Sequence, residues 1–522
     1  MPNDRPWWLD AVGYEVYVPS FQDSDGDGWG DLPGLHQRLD YLHDLGVSVL
    51  WISAFFPSPM RGHGNDVADY RDVDARYGTL ADVDALLDAA HTRGMHVVAD
   101  LVVTHTSNEH PWFANARDAR YRDYYIWHDP APDGGPPNNW LSHTGGPAWT
   151  LDRGTGQYYL HLNTPHQPDL NWANPAVAEE FDQILRFWLD RGLDGFRIDA
   201  AHFTTKHADL PGDPLLDADQ VPETAAIHRR WRRIADAYDA LLVGEMGVLE
   251  LDRLTTYMHD GGLHSAFWFG LAEADGEPSL VADMLRAAST ASPHLSWTQS
   301  RHGRPRAVSR YTAAITTSDT GAPAREDTAE GRRRVLAIAT LTMGLPGIPS
   351  LYYGEELGLT DAVIPASKHH DSLARTTGGA MSREGARTPM PWEPSATLGF
   401  TTAERARLPF GSRDPSDTVA AQRLDPASCW SVTRRLLHAR RRLAQLRDHS
   451  VEWFETTNEM IAYRSGRIAV IANLSGHAQP PPFDTSAWTC VFDTDQPPVL
   501  DSPAPLSPLH KLSAGQAVIL SK

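Results

Sequence analysis

The sequence predicts an α/β fold in which eight parallel strands close into a (β/α)8 barrel. Short apolar runs alternate with segments of helical period along most of the 522 residues, and several of those segments end in glycine directly before a strand. An open, doubly wound sheet would carry a glycine-rich phosphate turn after its first strand, but this position reads PSFQDSDGDGWGD. The observations therefore favour the barrel.

The predicted strands are short runs rich in Val, Ile and aromatic residues. They are YEVYVPSF (14–21), VSVLWISAF (47–55), HVVADLVVTH (96–105), GFRIDAA (195–201), LLVGEM (241–246), SAFWFG (265–270), LSWTQSRH (295–302) and IPSLYYGEE (348–356). Their apolar character fits parallel strands, because crossover helices cover such a sheet on both faces.

The segments between the strands have one apolar face and a glycine stop. The segment 177–192 places its apolar residues at helical spacing, at Phe181, Ile184, Leu185, Trp188 and Leu189. Three predicted helices end at Gly46, Gly94 and Gly192. Glycine suits this position because it adopts the left-handed conformation that closes a helix.

Two departures from this alternation predict further domains. The stretch 106–169 is rich in Gly, Pro and Asn at its centre and predicts an irregular inserted domain after the third strand. After residue 450 the pattern changes to short strands separated by turns, which predicts an all-β sandwich over 451–522. Residues 1–105 and 170–450 then form the barrel.

Charge and composition restrict the partners. The net charge is −21 and no long basic block interrupts it, which argues against a nucleic-acid partner. No stretch is apolar enough to span a membrane, and the start lacks the pattern of a secretory signal. Two cysteines predict neither a disulfide framework nor a cysteine metal site. We therefore expect a cytoplasmic protein that acts on a small molecule, with no membrane partner.

Ionisable residues lie at the ends of several predicted strands, where a barrel places its active site. They are Asp100, His105, Arg197, Asp199, Glu245, His302, Glu355 and Glu356. One Asp and one Glu from neighbouring strands could lie about 5 Å apart, as in a retaining glycosidase. An isolated acid at a strand end is more often structural, so spacing alone leaves both interpretations open.

Longer motifs resemble a known family. GFRIDAAH, LLVGEM, DLVVTH and QPDLNW together resemble the α-amylase family (glycoside hydrolase family 13) of retaining α-glycosidases. QPDLNW (167–172), NNWLSHTGGPAWTLDRGTGQYYLHL (138–162) and GARTPMPW (385–392) are similar to the branch containing oligo-1,6-glucosidase and α-glucosidase. The resemblance covers nearly the whole chain.

The resemblance implies a role for each matching residue. Asp199 would be the nucleophile, Glu245 the general acid and base, and Arg197 the group that orients the nucleophile. His105 and Asp66 would hold hydroxyls of the cleaved sugar. The implied substrates are α-linked gluco-oligosaccharides or small α-glucosides, either hydrolysed or used for transglycosylation.

The loop DSDGDGWGD predicts a metal site. Its ligands would be Asp23, Asp25, Asp27, the Trp29 carbonyl and Asp31, at the first, third, fifth, seventh and ninth positions of an EF-hand-like loop. No Glu stands at the twelfth position, which is Gly34. The resemblance also implies a structural Ca²⁺ or Mg²⁺ here, while an acidic surface turn without metal is the alternative.

The seventh strand departs from the family pattern, which ends in Asn-His-Asp. This chain has Arg301, His302 and Gly303 there, so the third catalytic acid is absent. His302 and Arg301 would then be the substrate-binding residues of this segment. Asn65 and Thr104 also replace residues usual in the family.

Three hypotheses follow from the missing acid. The protein is an α-glucosidase or transglucosylase with weakened or altered activity, or an enzyme for an anionic sugar or cyclitol, or a non-catalytic sugar-binding protein. The second hypothesis depends on Arg301 and Arg304, which bring positive charge where the family has a negative one.

Overall fold

The structure is a computed structural model that describes residues 6–206, 221–315, 325–370, 382–411, 414–447, 450–456, 459–496 and 509–522. Its strands are β1 (Gly13–Val16), β2 (Val49–Ile52), β3 (His96–Val102), β4 (Trp127–His128), β5 (Trp149–Asp152), β6 (Gln157–Leu160), β7 (Gly195–Asp199), β8 (Leu241–Glu245), β9 (Ser265–Trp268), β10 (Ser296–Trp297), β11 (Ile348–Tyr352), β12 (Glu452–Trp453), β13 (Met460–Ser465), β14 (Ile468–Asn473), β15 (Thr489–Asp493) and β16 (Ala517–Ser521).

The α-helices of the described residues follow the same chain order. They are α1 (Leu32–Gln37), α2 (Leu39–Leu45), α3 (Leu80–Thr92), α4 (Pro111–Ala114), α5 (Ala119–Arg122), α6 (Pro175–Asp190), α7 (Val221–Ala237), α8 (Leu251–Thr256), α9 (Gly270–Glu273), α10 (Pro278–Ala291), α11 (Ala307–Ile315), α12 (Arg325–Gly344), α13 (Val419–Gln422) and α14 (Cys429–Arg442). Short 3-10 turns connect several of these elements.

Eight parallel strands close a TIM barrel, in the order β1-β2-β3-β7-β8-β9-β10-β11 and back to β1. Each of the eight runs predicted from the sequence overlaps one of these strands, so the predicted barrel is confirmed. The pairing of β3 with β7 sets Asp100 opposite Arg197, and the pairing of β7 with β8 sets Ile198 opposite Gly244. The residues at the ends of these strands therefore meet at one rim.

The predicted helix faces are confirmed. In α6, the apolar face is fully buried at Phe181, Ile184, Leu185, Trp188 and Leu189. Gly46, Gly94 and Gly192 have φ angles of 104°, 66° and 100°, in the left-handed region that glycine tolerates. No helix among the described residues is long and apolar enough to cross a bilayer.

The stretch between β3 and α6 leaves the barrel and returns to it. It contains a three-stranded antiparallel sheet in the order β4-β6-β5, where the sequence predicted irregular structure. His105 and Asp169 form an antiparallel bridge where the chain leaves and re-enters the barrel. The predicted bounds 106 and 169 lie beside this bridge.

The C-terminal strands form one five-stranded antiparallel sheet in the order β12-β13-β14-β16-β15. One face of this sheet belongs to the main core, and the Tyr463 hydroxyl donates to the Leu341 carbonyl of α12. The opposite face is a smaller apolar cluster that includes Phe454, Phe483 and Trp488 from connecting segments. The sequence thus predicted an all-β unit correctly. In the described residues this unit has one sheet, and connecting segments rather than a second sheet cover the face that points away from the main core.

Candidate active site

A cavity of about 600 Å³ opens beyond the carboxyl ends of the barrel strands. Asp199, at the end of β7, and Glu245, at the end of β8, both line it. The rest of its wall comes largely from the inserted stretch and the loops after β7 and β8, with Arg61, His63, Asn65, Thr104, His105, His143, Asn163, Gln167, Asp169, His202, Glu250, Arg253 and Arg383 among the lining residues. The two carboxylates that the sequence singled out thus share one cavity.

Arg197 joins the carboxylates of three strand ends. Its Nη1 donates to Asp199 at 2.7 Å and to Asp100 at 3.0 Å, and its Nη2 lies 3.5 Å from Glu245 Oε2. The Trp51 indole also donates to Asp100 at 2.7 Å. Asp100 therefore holds Arg197 in place, and Arg197 holds one oxygen of Asp199. The catalytic role of this contact stays a prediction.

Glu245 is surrounded by hydrogen-bond donors. Its Oε2 accepts from the backbone N–H of Ala200 at 3.1 Å, and its Oε1 accepts from Arg301 Nη1 at 3.2 Å. Ala200, the residue after Asp199, has a φ of 45°, which is uncommon for a non-glycine residue and marks strained backbone beside the candidate nucleophile. Burial opposes ionisation of Glu245, but Arg197 and then Arg301 outweigh it, so the pKa of Glu245 lies below its usual range.

Arg301 and Arg304 are paired within the protein. Arg301 Nη2 donates to Glu273 Oε1 at 2.9 Å, and Arg304 contacts the other oxygen of Glu273. The Arg301 guanidinium also lies 4.0 Å from the centre of the Phe269 ring. The sequence led us to expect that Arg301 and Arg304 would present positive charge to a substrate. Glu273 and Glu245 instead compensate this charge within the protein.

Open space adjoins Gly303, the residue at which the sequence resemblance led us to expect a third acid. A Cβ at this residue would meet no heavy atom within 4 Å. Beside it, His302 Nδ1 makes a hydrogen bond with the carboxyl of Glu15 on β1. This acid approaches the vacant position from a strand to which the sequence analysis assigned no site residue.

The Glu15 carboxyl is held mainly in its neutral form at neutral pH. Burial raises its pKa to about 8, although the nearby Arg197 opposes this rise. Burial also holds the pKa of His302 well below its usual range. Both groups are therefore mainly neutral at pH 7, which makes the Glu15 carboxyl the donor to His302 Nδ1 and leaves the proton of the imidazole on Nε2.

His105 and Asp66 differ in their access to the cavity. His105 lines the cavity, and its ring lies 2.8 Å from Thr104 Oγ1 and 3.0 Å from the Asn65 carbonyl oxygen. Burial lowers the pKa of His105, which favours the neutral ring. Asp66 is fully buried and accepts from the Ser58 hydroxyl and two backbone N–H groups at 2.8 Å. Its contact with a sugar stays a prediction.

The acidic loop before α1 divides into two parts. Carboxylate oxygens of Asp23, Asp25 and Asp27 lie within 4.8 Å of one another, which fits a hard divalent cation. Asp31 instead accepts from Gly34 at 2.6 Å and from Ser24 at 2.9 Å, and so caps α1. Three of the predicted ligands therefore fit a cation, whereas Asp31 caps α1 and is not part of this cluster.

Two site residues escaped the sequence analysis. Glu15 precedes the last residue of β1, and only strand ends were searched for ionisable groups. Glu273 ends α9, five residues after the end of β9, and its position in the sequence does not show that it meets Arg301. A search for buried acids inside strands would have found Glu15, but Glu273 required the folded geometry.

Comparison with known families agrees with this geometry. A family model described as "Alpha amylase, catalytic domain" matches residues 15–449. A probable alpha-glucosidase of Rhizobium meliloti (strain 1021) is 37% identical over 493 residues, which cover 88% of this chain and 87% of that protein. An oligo-1,6-glucosidase of Heyndrickxia coagulans is 35% identical over 485 residues, covering 83% of this chain and 85% of that protein.

Solved structures share the whole architecture. The crystal structure of XgtA, an alpha-glucosyl transfer enzyme, has a TM-score of 0.86 and 32% identity, and the match covers 99% of this chain and all of that one. The likeness therefore includes the barrel, the inserted sheet and the C-terminal sheet.

Proposed function

The chain belongs to the alpha-amylase family, and we propose that it is an α-glucosidase-like glycoside hydrolase or transglycosylase that acts by double displacement. The observation that carries the proposal is the pair Asp199 and Glu245, which line one cavity and contact the same guanidinium. The activities named for the relatives, on α-glucosides and in α-glucosyl transfer, support this reaction class. Its substrate is a small α-linked glucoside or gluco-oligosaccharide.

Each residue has a defined part in this reaction. Asp199, oriented by Arg197, attacks the anomeric carbon and forms a covalent glycosyl-enzyme ester. Glu245 protonates the departing oxygen and afterwards removes the proton of the incoming water or sugar hydroxyl. The two inversions at the anomeric carbon together retain its configuration.

The absence of an acid at Gly303 weakens this reaction on ordinary α-glucosides. Hydrogen bonds to the ring hydroxyls that tighten in the transition state stabilise it by several kcal/mol. Loss of one preorganised group of this kind costs roughly 10²–10³ in rate. Because Glu15 is mainly neutral at pH 7, the charge of the missing acid is not replaced.

The test is to return the acid. A Cβ at residue 303 meets no heavy atom within 4 Å, so Gly303→Asp begins its side chain in open space, and we expect kcat/KM on a fluorogenic α-glucoside to rise about 10²-fold. Gly303→Asn is the matched control, since its amide has the same size without the charge. Equal activity of the two variants would show that charge is not what the site lacks, and no turnover by native protein or Gly303→Asp would favour the non-catalytic hypothesis.

An anionic sugar or cyclitol is the second candidate substrate. Arg61, Arg253 and Arg383 line the cavity, and guanidinium groups bind phosphate and carboxylate well. These residues carry the hypothesis because they line the cavity, which Arg301 and Arg304 do not. Arg61 also pairs with Glu109 at 3.1 Å, so an anionic ligand would compete with that carboxylate. Calorimetric titration with glucose and glucose 6-phosphate tests it: tighter binding of the phosphate that is lost in Arg61→Gln supports the candidate, and equal binding rejects it.

The acidic loop is also proposed to hold a structural Ca²⁺ or Mg²⁺, through Asp23, Asp25 and Asp27. Such an ion would neutralise the crowded carboxylates and fix the loop ahead of α1. We expect native protein to melt at a higher temperature in millimolar Ca²⁺ than in EDTA, because an ion that binds only the folded state stabilises it. Asp25→Asn should lose most of that difference, and a native melting temperature unaffected by either addition would contradict the site.

A further inference from the structure

Arg301 contacts the candidate acid and base directly. Its Nη1 donates to Glu245 Oε1 at 3.2 Å, while the backbone N–H of Ala200 and Arg197 Nη2 approach Oε2. Both carboxylate oxygens of Glu245 thus face donors, and two of these three donors are cations; His202 also lies near Glu245. A carboxyl in such surroundings accepts hydrogen bonds well but has little tendency to hold a proton of its own.

Two further contacts hold the Arg301 side chain in place. Glu273 accepts from its other nitrogen at 2.9 Å, and the Phe269 ring lies beneath the guanidinium at 4.0 Å. The side chains of Arg301, Glu245 and Glu273 are 22%, 13% and 24% exposed, so solvent screens these contacts only partly. Glu273 and Phe269 together aim Arg301 at Glu245.

Ionised Glu245 affects the two halves of the reaction differently. A sugar leaving group must gain a proton as it departs, because a free alkoxide is a very poor leaving group. An ionised carboxylate cannot supply that proton, but it can remove the proton of an acceptor hydroxyl in the second half. The leaving group therefore determines how fast the first half of the reaction runs.

Building on the proposed function, we propose that Arg301 is a positioning residue that holds Glu245 mainly in its ionised form. The protonated form that ordinary α-glucosides require is then scarce, which makes the site selective for α-glucosyl donors whose leaving group departs as a stable anion. Fluoride, phosphate and acidic phenols are leaving groups of this class. In the first step the carboxylate of Asp199 bonds to the anomeric carbon, and the leaving group departs with the bonding pair and no proton. In the second step Glu245 takes the proton of water or a sugar hydroxyl, whose oxygen displaces Asp199, and the proton then passes to solvent.

The test compares two donors in native protein and variants. We expect native protein to use α-glucosyl fluoride with a far higher kcat/KM than maltose, because only maltose requires protonation. Arg301→Met removes the charge but keeps an apolar chain over Phe269. It should lower the fluoride-to-maltose ratio at least about tenfold, the change that one unit of pKa produces.

The pH profile separates a role in positioning from a general loss of structure. Activity on maltose falls as pH rises through the pKa of Glu245, so Arg301→Met should move this falling limb to higher pH. Glu273→Gln should move it to lower pH, because it leaves the charge of Arg301 to act on Glu245 alone. Arg301→Lys should keep most of the native profile, since it retains the charge.

Arg304→Met is the control for an unspecific loosening of the segment that carries Arg301 and Arg304. Arg304 shares Glu273 with Arg301 and is 43% exposed, and we expect its loss to change the ratio far less than the loss of Arg301. An unchanged ratio and unchanged falling limb in Arg301→Met would overturn the inference, even if both donors are turned over. If native protein and Gly303→Asp turn over neither donor, the proposed function itself fails.

Discussion

Arg197 lies between three carboxylates with a side chain only 4% exposed. A buried guanidinium of this kind is stable only with its partners, so Asp100, Asp199 and Arg197 form one unit. The sequence predicted these residues because they fall within two motifs, DLVVTH and GFRIDAAH, on strands that are neighbours in the barrel. It did not predict the pairs of Arg301 with Glu273 and His302 with Glu15, since each joins residues from separate loops and strands.

At the residue scale, Glu15 makes stability depend on pH. Its folded pKa of about 8 lies above the ordinary value of 4.5, so its stabilising contribution is complete below about pH 4.5 and is lost as pH rises towards 8. Glu15→Gln should reduce the decline of native stability over this window, by at most about 1.4 kcal/mol per pH unit. Unfolding midpoints measured from pH 5 to 8 check this.

The control for Glu15 is substitution by leucine. A glutamine amide can donate to His302 Nδ1 as the neutral carboxyl does, whereas Glu15→Leu removes the partner of His302. Both variants should flatten the pH dependence, and only leucine should also disturb the site. A glutamine variant with the full native pH dependence would mean that Glu15 is ionised in the folded protein.

At the element scale, the strand prediction succeeded where the strand is buried along its length. It failed where the chain leaves the sheet before the apolar run ends. β10 contains only Ser296 and Trp297, although the predicted run reached residue 302. The chain leaves the sheet after Trp297, and this departure lets Arg301 reach Glu245. The sheet of β4–β6 was missed because its strands are two to four residues long, too short for a pattern to show.

A buried ion pair fastens the inserted stretch to the barrel. Lys206 Nζ lies 2.8 Å from Asp169 Oδ1, with both side chains 1% exposed, and donates to the Thr104 carbonyl at 3.0 Å. Lys206→Met would leave Asp169 as an uncompensated buried charge, which costs about 3–5 kcal/mol. We expect a lower unfolding midpoint and faster proteolysis within 106–169.

The double variant tests whether Lys206 and Asp169 act as a pair. Lys206→Met with Asp169→Asn should be less destabilised than the sum of the single variants, because it removes both charges. The Asp169 amide still has the Leu162 N–H nearby, since the native carboxylate accepts from it at 2.6 Å. Additive losses would indicate that each residue acts through other contacts.

At the scale of the whole molecule, the fold followed from repeated local patterns. Eight strand runs, helices with apolar faces and glycine stops agree on one architecture, and such agreement between local and global preference makes a fold predictable. The chemistry depends on where separate loops meet at the rim. Asp199 and Glu245 could be predicted to converge, but the charge that Glu245 carries depends on Arg197 and Arg301 together.

The central proposal is that Asp199 forms a covalent bond to the sugar although Gly303 stands where the sequence resemblance led us to expect a third acid. Its most direct test is to incubate the protein with 5-fluoro-α-glucosyl fluoride, whose glycosyl-enzyme hydrolyses slowly, and to locate the adduct by peptide mass spectrometry. We predict one added fluoroglucosyl group on Asp199 in the native protein and none in Asp199→Asn. An adduct on another residue, or none in either native protein or Gly303→Asp, would contradict the claim.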